Sequence, residues 1–101
     1  MSTSLIMQAS VKVPATGGTS ERLDVSSTAV QSSTFSNNTT AFVVCDVDVY
    51  VRQGVSPVAV ASGVDVFLPA GSWRLDGILD ENKLSFVTTG DVGTVHITPG
   101  A

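Results

Sequence analysis

The chain predicts an all-β domain, an antiparallel β-sandwich or jelly-roll-like barrel of seven to eight short strands. Three observations lead there. Apolar residues recur at a period of two, most clearly within Phe42–Arg52, where Val43, Cys45, Val47, Val49 and Val51 share one parity against Asp46, Asp48, Tyr50 and Arg52. Gly and Pro clusters punctuate the chain at spacings of about 8–12 residues. No stretch of about ten residues joins a helical period to capping residues.

The elements follow in order. Leu5 to Val13 reads as a first strand with Leu5, Met7, Ala9, Val11 and Val13 on one side, ended by Pro14 and Thr16-Gly17-Gly18-Thr19. Glu21 to Val30 reads as a second, with Leu23, Val25 and Ala29 facing away from Arg22, Asp24, Ser26 and Thr28. The polar run Gln31 to Thr40 is a long loop or ill-formed edge strand whose one large apolar residue is Phe35. Ala41 to Gln53 is the strongest strand, closed by the turn Gly54-Val55-Ser56-Pro57, after which Val58 and Val60 continue briefly. Val64 to Leu68 stops at Pro69-Ala70-Gly71. Ser72 to Leu79 places Trp73 and Leu75 opposite Arg74 and Asp76. Asp80-Glu81-Asn82 turns the chain, Lys83 to Thr88 sends Leu84 and Phe86 inward, and Gly90 to Gly93 turns it again. Thr94 to Thr98 is the last strand, with Val95 and Ile97 inward, and Pro99-Gly100-Ala101 ends the chain. Residues 1–20 are thus an N-terminal strand or arm, and residues 21–101 the core of a single domain of ordinary size.

Composition narrows the function. Charged residues are 14% of the chain, well under the usual ~25%, and Ser and Thr fill the gap. With 43% hydrophobic residues the chain can build a core, so this polarity points to a neutral surface that packs against other protein. A net charge of -4 and five scattered cations (Lys12, Arg22, Arg52, Arg74, Lys83) disfavour nucleic acid and anionic membrane. No window approaches the ~18 apolar residues of a membrane helix. The opening residues carry no basic stretch followed by a long apolar one, so the expected product is folded in the cytoplasm. On that route Asn37-Asn38-Thr39 and Asn38-Thr39-Thr40 are chance matches to a glycosylation acceptor.

No catalytic constellation, cofactor motif or metal-ligand spacing is present. Cys45 stands alone on the apolar parity of its strand, which predicts a small buried hydrophobe. His96 lies opposite Val95 and Ile97 in parity and so faces solvent or a partner. No Gly-x-Ser-x-Gly elbow accompanies the abundant serines. Asp46 and Asp48, two apart on one strand, fall ~6.5–7 Å from each other, near the spacing of an acid/base pair. Without further acidic ligands they read instead as a solvated strand face or a guard against mispairing. The Gly-rich pieces precede no helix, so they are turns and not phosphate cradles.

Tyr50 and Phe67 fall opposite their strands' valines, which makes them candidates for a subunit contact, a sugar-stacking platform with Trp73, or burial in a second core. Leu5, Met7 and Phe35, in the N-terminal arm and the polar run, complete the candidate subunit contacts.

The run Val51-Arg52-Gln53-Gly54-Val55-Ser56-Pro57-Val58-Ala59-Val60-Ala61 is followed by Phe67-Leu68-Pro69-Ala70-Gly71, Lys83-Leu84-Ser85-Phe86-Val87 and Gly93-Thr94-Val95-His96-Ile97-Thr98. Over about residues 42–98 this succession of turns and strands resembles small virion proteins of tailed bacteriophages. The resemblance implies a non-enzymatic β-sandwich subunit without cofactor, a capsid decoration or cement protein on the head surface. Its partners would be the major capsid protein and copies of itself, as homodimer or homotrimer. A head–tail joining or tail protein that closes a ring is the alternative within the virion, and a carbohydrate-binding module using Tyr50, Phe67 or Trp73 the alternative outside it.

Overall fold

The computed structural model describes residues 20–36 and 40–100, and these fold as two four-stranded antiparallel sheets without a helix. The strands are β1 (Glu21–Val25), β2 (Val30–Gln31), β3 (Thr40–Cys45), β4 (Val49–Gly54), β5 (Val66–Leu68), β6 (Gly71–Asp76), β7 (Lys83–Val87) and β8 (Gly93–Gly100). One sheet runs β1-β8-β3-β6 and the other β2-β7-β4-β5. β1 pairs with β8, β2 with β7, β3 with β6 and β4 with β5, all antiparallel. That is a single long hairpin, four strands against four. Rolling it up adds the β3–β8 and β4–β7 pairings and closes two layers around one core. The connectivity is that of a jelly roll, so the expected fold class holds in its more specific form.

The core is built from the inward parity of both layers. Val25, Ala41, Val43, Cys45, Val95 and Ile97 come from one sheet, and Val49, Val51, Leu68, Leu84 and Phe86 from the other. Phe35 and Ile78, from connections, plug the space between the layers. Each such aromatic or branched side chain contributes roughly 1.5–3 kcal/mol by leaving water. The largest fully buried one, Phe86, sits mid-strand in β7 opposite Val51 and Val30.

Two strands expected to be continuous are each broken by a corner. Ala41–Gln53 divides into β3 and β4, which lie in different sheets, and the chain crosses between layers at Asp46–Asp48. The Asp46 carboxylate makes the corner. Its Oδ1 accepts the Thr94 amide at 2.8 Å and its Oδ2 meets the Thr94 hydroxyl at 3.2 Å, while the Asp46 amide donates to the Thr94 carbonyl at 3.3 Å. Asp48 Oδ1 accepts the Ala70 amide at 2.9 Å. Gly93 makes room, because a Cβ there would lie within 2.7 Å and 2.8 Å of the Val47 methyls. In the same way Glu21–Val30 divides at Ser26–Ala29 into β1 and β2, one in each sheet.

Three smaller expectations change. Val58 and Val60 belong to no strand. β7 is buried on both faces, with Ser85 and Val87 covered as fully as Leu84 and Phe86. β8 continues through Pro99 and Gly100, because β1 stops at Glu21 opposite Ile97. Beyond that point, among the described residues, Pro99 pairs with β3 alone, where a proline is tolerated. The expected strand Leu5–Val13, with Leu5 and Met7, lies outside the described residues.

Candidate interaction surface

The chemistry expected of individual residues resolves into structure. Cys45 is buried, its thiol directed at the carbonyls of Pro69 and Gly71 at 3.6 and 3.7 Å. Burial pushes the thiol pKa up, and the carboxylates of Asp48 and Asp46 push in the same direction. His96 is exposed on the outer face of β8, between Arg22 and Val44. Asp46 and Asp48 each bind a different backbone amide at a corner and do not face a shared ligand. Among the described residues no three His, Cys, Asp or Glu side chains gather as a metal site.

Phe35 requires a correction as a subunit contact. It is 3% exposed, a member of the core, with its amide and carbonyl bound to Asn82 and Glu81 at 2.8 Å each. A lone phenylalanine in a polar run reads as an exposed anchor, yet residues 32–36 are a strap bound to Leu84, Asn82 and Glu81, and Phe35 is its plug in the core.

Tyr50 and Phe67 are cross-strand neighbours on the outer face of the second sheet. Their ring centroids are 5.1 Å apart with planes inclined at 51°. Tyr50 is half-buried and Phe67 about half exposed. Tilted rings that face one another do not present a flat shared platform for a sugar ring. Trp73 lies on a different sheet, its indole N–H donated to the Pro69 carbonyl at 2.7 Å.

The outer face of this sheet is not bare. The connection from β4 to β5, residues 55–65, folds back across it, fastened at three places by Gln31, Ser85 and Arg52 and tied to itself through Asp65. Gln31 Nε2 donates to the Pro57 carbonyl at 2.8 Å, the Ala59 amide donates to Ser85 Oγ at 2.9 Å, and the Val60 amide donates to Asp65 Oδ2 at 2.7 Å. Asp65 Oδ1 takes the Arg52 Nε–H at 2.7 Å. Burial pushes the Asp65 pKa up, but the Val60 amide and the Arg52 guanidinium outweigh it and hold the carboxyl below the ordinary range. Pro57 and Ala59 are the buried underside of this cover, which explains why Ser85 is fully enclosed.

The upper side of the same connection is apolar. Val55, Val58, Val60 and Val64 of the connection are exposed, and so are Val66 and Phe67 of β5, which leave opposite faces of that strand. Six exposed large apolar side chains within residues 55–67, on and beside a connection fastened to the sheet, mark this region as a candidate contact surface. Beside it a groove of about 390 Å³ runs between β4–β5 and β6, lined by Val64, Val66, Leu75, Ile78, Arg74 and Asp76. Sequence reasoning found Phe67 but missed the valines and their fastening. No sequence signal singled out Asp65, because an acid between two valines is the ordinary pattern of a strand with one wet face.

No protein-family model, no curated protein and no solved structure matches this chain.

Proposed function

We propose that this protein is a non-enzymatic virion structural subunit, a capsid decoration or cement protein that binds the outside of a phage head and bridges neighbouring capsomers. The observation that carries the reading is the group of exposed apolar side chains between Val55 and Phe67, on and beside a fastened connection. Backbone that is already ordered loses little freedom on docking, so burial there converts to affinity. About 800 Å² per partner is enough for specific attachment, and many symmetric copies add avidity. A jelly roll suits the role because its rolled hairpin leaves loops and outer faces free for contact, although folds of this kind serve other functions too.

The test is stoichiometry and attachment together. Quantitative mass spectrometry of purified particles of the encoding virus should find the protein in hundreds of copies. Val64→Asp and Val66→Asp, at exposed positions, should leave the fold intact and abolish binding to shells lacking the protein. Absence from the particle overturns the reading. So does a copy number near a dozen, which belongs to a head–tail ring, and so does unimpaired binding by the charged variants.

A further inference from the structure

The tripeptide Arg-Leu-Asp occurs twice, as Arg22-Leu23-Asp24 and Arg74-Leu75-Asp76. The first lies in β1 and the second in β6, the two outermost strands of the same sheet among the described residues. In both, the charges project from the outer face and the leucine is half-buried on the core side. In both, arginine and aspartate of one strand bind each other, at 3.3 Å and 3.1 Å, with all four side chains more than half exposed. An edge whose exposed face carried one sign of charge would set like charges opposite one another in a paired copy and repel it. These edges carry balanced pairs, and each is the complement of the other.

We infer that copies of this chain associate head to tail, β6 of one copy pairing antiparallel with β1 of the next, with Leu75 opposite Leu23. Strand direction allows it. The order β1-β8-β3-β6 is antiparallel throughout, so a further β1 set beside β6 runs antiparallel to it and continues the sheet. In that register Arg74 stands opposite Asp24 of the next copy and Asp76 opposite its Arg22, at a strand spacing of about 4.8 Å. Trp73, exposed at the edge, meets the strand at Val25. A head-to-tail contact leaves one free edge at each end, so it closes a ring or grows a chain. The inference does not depend on the virion reading, since it concerns the chain alone.

The experiment exchanges charges edge by edge in the full chain and follows association by sedimentation velocity and light scattering over a concentration series. R74D/D76R reverses β6, and R22D/D24R reverses β1. Each keeps its own within-strand pair and sets like charges across the contact. Each should weaken association about tenfold to a hundredfold. The fourfold variant carrying both exchanges restores complementarity and should associate as the parent does, which also shows that the changes are tolerated by the fold. A chain that is monomeric at every concentration overturns the inference. So does a β6 exchange without effect, because two β6 strands paired about a two-fold axis stay complementary when both are reversed. Failure of the fourfold variant to recover, while its circular dichroism matches the parent, overturns it as well.

Discussion

Replacing Asp65 with asparagine tests the fastening that holds the contact surface in place. The carboxylate accepts two hydrogen bonds of 2.7 Å, from the Val60 amide and from Arg52, and its side chain is 6% exposed. Asparagine keeps one acceptor and turns an N–H₂ toward the other donor. Hydrogen bonds to a charged group contribute about 1.5–3 kcal/mol each, and one is lost while the other loses its charge. Arg52 is 38% exposed and recovers part of its hydration, so the sum is reduced to about 2 kcal/mol. For a domain of this size that lowers the melting temperature by roughly 8–16 °C. Urea unfolding followed by circular dichroism reads the difference directly, and its pH dependence identifies the cause. The folded pKa of Asp65 is depressed, so its contribution is complete above the unfolded value of about 3.9 and disappears as pH falls through the lower folded value. Parent and variant should therefore differ at pH 7 and converge in acid. A difference under ~0.5 kcal/mol, within the range of ordinary surface changes, refutes the reasoning, as does one that is the same at both ends of the titration.

Gly93→Ala should destabilise the domain by about 1–3 kcal/mol, since its methyl drives into Val47 and the Asp46 corner, and the urea midpoint should fall with an unchanged slope. Cys45 should react with an aromatic disulfide reagent at pH 8 far more slowly in the folded protein than in denaturant, because it is buried and its thiol is held protonated; equal rates would place the thiol at the surface.

How far the fold could be read from sequence is clearest at Asp46–Asp48. Val43, Cys45, Val47, Val49 and Val51 keep one parity through the corner because both sheets wrap the same core. Periodicity reports which way a side chain faces, and that does not change when the chain crosses from one layer to the other. The corner was marked only by two aspartates, residues disfavoured in strands and suited to bonding backbone amides. Ser26-Ser27-Thr28 marked the other corner as quietly. His96 and Cys45 were legible because their environment follows from parity alone. Phe35 and Ser85 were not, since what covers them arrives from distant segments, the strap near Asn82 and the connection at Ala59. The repeated Arg-Leu-Asp stood in plain view, but its placement on the two margins of one sheet depends on the rolled topology.

Trp73 is the chain's single tryptophan, and it lies 36% exposed along β6. Indole emission responds to hydration, so the margin of the sheet carries its own optical probe. Any molecule that covers this margin dries the ring and shifts its colour, and dilution shifts it back. The protein thus signals occupancy of that margin without a label attached.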